Sequence, residues 1–287
     1  MTAPKQSSME PSPIPPPTAV GRLPLIGPAA FLGGAAANVI MQLSQRPVGY
    51  GVYESRVDSG NPRLHPYKRV RTTWTYLAVA MMGTDEDRRA YRAAVNGSHR
   101  LVRSNADSPV KYNAFDPELQ RWVAACLYVG SRDFVHLYYG PQDEATEDAL
   151  YYECMRLGTT LQMPADMWPA DRAAFAEYWA DGLSRAQIDD TIAQYFNDLL
   201  LDMGPLPAPL RVPLAPINRF FATGYLPAEL REQLGLSWSD TDQRIFTTAL
   251  RTLGRILAVT PEPLRIFPFN AFLWDLRRRI KHGKSLV

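Results

Sequence analysis

Residues Arg69 to Arg103 read RVRTTWTYLAVAMMGTDEDRRAYRAAVNGSHRLVR, and their spacing decides the fold class. From Arg69 to Met82, Val70, Trp74, Leu77 and Met81 recur at helical intervals, while Arg69, Thr73, Tyr76 and Ala80 share an adjacent face. Gly83-Thr84 interrupts the pattern. Thr84 suits an N-cap, and Asp85, Glu86 and Asp87 follow in a first turn where the helix dipole favours anions. The second helix lines up Tyr91, Val95, His99 and Val102, so His99 faces inward with the apolar stripe. An Arg and a Thr on one helix are therefore followed, across a tight corner, by a His on the next.

Working outward, helical spacing dominates. Asp116-Pro117 opens a long helix through Trp122 and Val129 towards Tyr139, which Gly140-Pro141 ends. Another helix is predicted from about Asp143 to Gly158. Ser184 to Gln187 has capping-box spacing ahead of Ile188, Ile192 and Phe196. The Pro-rich run LDMGPLPAPLRVPLAP, from Leu201 to Pro216, predicts a loop, because each X-Pro step disfavours helix. Further helices are predicted from Ser239 through Ile245, Leu250, Leu253 and Leu257, and from Phe269 to Lys281. There is no βαβ rhythm, no GxGxxG, no GxxxxGK[ST] and no internal repeat. The reading is all-α: one large helical bundle spanning 22–287. Residues 1–21, rich in Pro and Ser, read as a disordered leader without the marks of a secretory signal. Ala29 to Leu43 falls short of the roughly 20 residues a bilayer span needs, and reads as a buried helix.

Composition narrows the function classes. The 287 residues are 46% apolar and 21% charged, as in ordinary globular proteins. A net charge of +2 gives no one-signed field suited to nucleic acid. The two cysteines, Cys126 and Cys154, sit in helical stretches outside any CxxC or Cys/His cluster. They read as small core residues, and they fit a reducing, cytoplasmic setting.

Among chemistry-bearing residues His99 comes first. A His on an apolar helical face is usually a core residue, but it can also supply the axial nitrogen of a heme iron within a bundle. Arg88, Arg89, Arg92, Arg100 and Arg103 crowd the same stretch; guanidinium groups suit heme propionates, and a solvated face is the plainer reading. Arg69 and Thr73 are one turn apart and can point into one cavity, where a ligand would satisfy them. Arg69 paired with a carboxylate such as Glu153 is the structural alternative. His65, His136 and His282 belong to no HExxH or two-His-one-carboxylate pattern, and no GxSxG elbow is present. The C-terminal WDLRRRIKHGK sets Trp274 beside Arg277, Arg278, Arg279 and Lys281. It reads as a solvated helix end or as a contact for an anionic membrane surface.

Several segments, in order, resemble the MpaB-type oxygenase family shared with latex clearing protein, a rubber oxygenase. QLSQRPVGYGVYESR is similar to the family's opening segment, and RVRTTWTYLAVAMMGTDEDR to its Arg-x-x-x-Thr helix and following Gly-Thr. VNGSHRLVR resembles its His-x-x-Val segment, YNAFDPELQRWVAACL its Tyr-x-Ala-x-Asp-Pro and Trp-Val segment, and YYECMRLGTTLQMP and GYLPAELREQLGLSW its later helices. The likeness covers roughly residues 28–270. It implies a bundle enclosing a buried pocket for one heme b, with His99 as iron ligand and Arg69 and Thr73 beside the cofactor. Glu54 falls near an acidic residue implicated in catalysis in rubber-cleaving members. Two positions depart from the pattern: Thr72 stands where rubber-cleaving members have Lys, and Ala124 where the wider family often has His. The expected function is a heme-dependent oxidoreductase acting on an apolar, small or elongated substrate with O2 or a peroxide and, where needed, an electron donor. A non-catalytic helical protein that binds heme, a lipid or a partner is the alternative.

Overall fold

The computed structural model describes residues 33–55, 57 and 64–287. The leader at 1–21 lies outside the described residues, as does the start of the predicted Ala29–Leu43 helix. In chain order the helices are α1 (Ala35–Leu43), α2 (Arg46–Tyr53), α3 (Pro66–Met82), α4 (Asp85–His99), α5 (Pro117–Tyr139), α6 (Glu144–Cys154) and the single turn α7 (Arg156–Thr159). There follow α8 (Arg172–Ser184), α9 (Asp190–Phe196), α10 (Ala208–Tyr225), α11 (Ala228–Gln233), α12 (Asp240–Val259), α13 (Glu262–Arg265) and α14 (Phe269–Lys281). Among the described residues there is no strand, only a bridge between Arg103 and Asn113, so the fold is all-α.

The central element is α5, against which α1, α6, α7 and α12 pack. Asp116 caps it by accepting from Glu118 N at 2.9 Å, with Pro117 in the first turn where its missing N–H is harmless. Its Trp122 donates to the carbonyls of Met41 (3.2 Å) and Gln42 (3.1 Å) at the end of α1 and stacks on Trp179 of α8. Cys126 and Cys154 are free thiols, fully buried in the same core. A second, smaller core forms where α14 lies on α3 and α4, through Trp74, Ala78, Val79, Tyr91, Phe269, Leu273 and Leu276. No helix among the described residues is long and apolar enough to cross a membrane.

Two local expectations need correction. The predicted loop at Leu201–Pro216 is helical from Ala208, with Pro213 and Pro216 inside α10. Each proline deprives the carbonyl four residues back of its donor, but most residues from 207 to 217 are exposed, so water can replace the lost bonds. The capping box at Ser184 is also not formed. Ser184 Oγ donates back to Asp181 O at 2.8 Å, closing α8, and Asp189 caps α9 by accepting from Ile192 N at 3.1 Å.

Candidate functional site

The α3–α4 hairpin builds the site. Gly83 and Thr84 form a two-residue corner, and Thr84 and Asp87 make a reciprocal capping box that starts α4 cleanly. Arg69 lies 13 residues before Met82 and His99 lies 14 after Asp85. At about 1.5 Å per residue both stand roughly 20 Å from the corner, at one level of the hairpin. Thr73 is one turn nearer the corner. Tyr91, fully buried on α4, donates its hydroxyl to Thr72 O at 2.6 Å and locks the register of the two helices.

At that level the polar groups lack partners. The Nδ1 of His99 is buried with no hydrogen-bond partner, and the ring meets Phe115 edge-on at 6.1 Å. Burial, with Arg69 nearby, pushes the His99 pKa down to about 4, so the imidazole is neutral at physiological pH. Arg69 retains accessible surface, yet desolvation lowers its pKa against the opposing pull of Tyr195 and Tyr91. Arg69 has no ion-pair partner among the described residues; Glu153 pairs instead with Arg156 at 3.1 Å. The Thr73 hydroxyl, unlike those of Thr72 and Thr75, makes no hydrogen bond among the described residues.

Glu54 stands at the end of α2, held from across the chain: its Oε2 accepts from Ser108 Oγ at 2.6 Å and from Tyr112 Oη at 2.7 Å. The turn containing these donors is closed by Ser104 N to Tyr112 O (2.9 Å) and Ala114 N to Val102 O (3.0 Å), which also sets Phe115 against His99. Ser108 and Phe115 were not singled out by sequence reasoning, although Tyr112 and Phe115 lie within the YNAFDP run. Gln162, also missed, donates to Asn96 one turn before His99 and ties that turn to Gln120 of α5, whose Nε2 donates to Gln162 Oε1 at 2.8 Å.

The remaining candidates have structural places. Arg89, Arg92, Arg100 and Arg103 are exposed, and Arg88 pairs with Asp85 at 2.8 Å. His136 Nε2 meets Glu147 Oε1 at 2.5 Å, away from the hairpin. Ala124 is fully buried beside Gly158, against which Met163 also packs, so that position belongs to the core. Among the described residues no three His, Cys, Asp or Glu side chains gather as a metal site. The donor set is a single imidazole with an arginine and a threonine.

These helices belong to an oxygenase catalytic domain. The model of the family described as "ER-bound oxygenase mpaB/B'/Rubber oxygenase, catalytic domain" matches residues 25–256, and the chain is a member of that family. It is 50% identical over 252 residues to uncharacterized protein Mb2261 of Mycobacterium bovis and, equally, to uncharacterized protein Rv2237 of Mycobacterium tuberculosis, covering 88% of this chain and 98% of each relative. No solved structure matches the chain.

Proposed function

We propose that the protein is a heme b-dependent oxidoreductase acting on an apolar organic substrate with O2 or a peroxide, and with an electron donor where turnover needs one. The observation that carries this is the buried, unpartnered Nδ1 of a neutral His99 at the level of an unpaired Arg69. A buried ring nitrogen of histidine normally finds a carbonyl or a carboxylate, and an arginine without a carboxylate partner can take an anionic group of a ligand. A heme would satisfy both, with His99 to hold its iron and Arg69 to meet its anionic groups. The residues therefore fit the group, and family membership points the same way.

In this reading His99 would hold the iron, and its lowered pKa leaves the imidazole neutral across the physiological range. Arg69, on the first turns of α3, would donate hydrogen bonds to negative charge on the bound group, and Thr73 would add a hydroxyl one turn away. Glu54 is the candidate base; the clamp of Ser108 and Tyr112 fixes one oxygen and leaves the other to take a substrate proton. The bound cofactor supplies the redox chemistry of oxygen activation, which no side chain here can perform.

The test is hemin titration of the purified full chain beside His99→Ala. A Soret band that saturates in the parent and is lost or shifted in the variant is the expected result. Arg69→Met should still bind hemin, with turnover down about 10²-fold. No band in either protein sinks the proposal. A band on a ferrous form inert to O2 and to peroxide indicates a carrier instead of an enzyme.

A further inference from the structure

Charge is unevenly spread along this chain. Residues 244–287 carry nine Lys and Arg against two Asp and Glu, while the whole chain has 31 against 29, so the remaining 243 residues are acidic by five. The basic segment begins on α12. That helix turns Phe246, Leu250, Gly254 and Leu257 inward, which places Arg244, Ile245, Thr248, Arg251, Thr252, Arg255, Ile256 and Val259 on the opposite, exposed side. Beyond Asp242 this outer face has no acidic residue. Arg251 and Arg255 have no ion-pair partner among the described residues, so their charges are free.

Large apolar side chains cluster where α12 turns into α13 and on towards α14. Ile256 is 56% exposed, Val259 84%, Leu264 62% and Phe267 54%. These residues lie within 12 positions of one another, joined by tight connections, so they share one region of the surface. On α14 the pattern continues: Trp274 is 65% exposed, with the Arg278 guanidinium 5.5 Å from its ring centroid. Exposed apolar residues grouped this way mark an interaction surface. Their mixture with unpaired arginines selects the partner. Nucleic acid would leave the aliphatic tips without a place, and an apolar protein groove would leave the arginines unpaired. An anionic bilayer surface takes both, aliphatic and aromatic tips into the acyl boundary and guanidinium groups among phosphates.

We infer that the outer face of α12 and the turn leading through α13 dock this protein peripherally on anionic lipid membranes, with Arg251 and Arg255 as electrostatic contacts and Ile256, Val259, Leu264 and Phe267 as the inserted edge. The inference does not rest on the heme reading.

The experiment is co-sedimentation of the full chain with vesicles of phosphatidylcholine alone and of phosphatidylcholine with phosphatidylglycerol in equal amounts, at low and high salt. Binding to the anionic vesicles only, weakened by salt, is expected. Arg251→Ser/Arg255→Ser should lower partitioning about 25-fold, from about fivefold per basic residue near the surface. Val259→Asp/Leu264→Asp should lower it by about tenfold or more. Each altered side chain except Leu264 is on the exposed end or flank of α12, and unchanged far-UV dichroism of both variants checks that the fold is kept. Equal binding to both vesicle types, no binding, or binding indifferent to both variants overturns the inference. So does loss of a dimer, in place of loss of vesicle binding, in the Val259→Asp/Leu264→Asp variant, since the face would then be a contact between copies of the chain.

Discussion

Asp87 is the residue through which the site hairpin is fastened to the end of the chain, and its removal should be measurable in a way that depends on pH. The side chain is 4% exposed, and its Oδ2 accepts from Thr84 N (2.9 Å), Thr84 Oγ1 (3.0 Å) and Arg277 Nη2 of α14 (2.9 Å). Burial alone would raise its pKa, but Arg277 and the Thr84 donors outweigh that and hold the carboxyl below the usual range. Asp87→Ala removes the capping box, a loss of about 1 kcal/mol. It also removes the pair with Arg277, about 1 kcal/mol at most because the arginine is half exposed and screened. The expected total is about 2 kcal/mol at neutral pH, read as a shift in urea midpoint at constant slope. Because the folded-state pKa is depressed, this contribution is complete above the unfolded value of about 3.9 and fades as pH falls through the folded one. The difference between parent and variant should therefore shrink progressively as pH falls below about 3.9. A difference below about 0.5 kcal/mol at neutral pH, or one that persists unchanged in acid, would refute this account of how α4 is started and held.

Two further outcomes follow from the geometry. At Gly254 an added methyl would sit 2.0 Å from the carbonyl oxygen of Tyr138, so α12 lies against the α5 backbone itself. Gly254→Ala should destabilise the protein by about 2–4 kcal/mol, seen as a drop in Tm, and an unchanged Tm would show that the helices separate freely. The His99 imidazole should titrate near 4 by NMR, and Arg69→Met should raise it only slightly, since burial is the larger cause and stays; a value near 6.5 in the parent contradicts the desolvated setting.

How much of this was legible in the sequence depends on range. The α3–α4 hairpin was, because Thr84, the acidic first turn and two apolar stripes are local signals, and counting residues from the corner already brings Arg69 level with His99. The partner of Arg69 was not. Glu153 was an equally good candidate on paper, and it is taken by Arg156, three residues further along its own chain segment. The clamp on Glu54 was beyond reach as well, since Ser108 and Tyr112 are 54 and 58 residues away and hydroxyls carry no pattern of their own. Pro213 and Pro216 misled because a proline rule assumes that the freed carbonyl has nowhere to go, and exposure along α10 supplies water. Ser184 misled for a different reason: one hydroxyl can serve the helix before it or the helix after it, and spacing does not say which.

The two buried thiols have a practical consequence. Burial pushes Cys154 up to about 12 and Cys126 well above its ordinary value. At neutral pH the reactive thiolate of Cys154 is then a fraction on the order of 10⁻⁵ of the whole, with no path to solvent in the folded chain. Alkylating reagents and peroxides meet neither sulfur until the bundle opens. The rate of thiol labelling thus serves as a built-in clock for opening of the core.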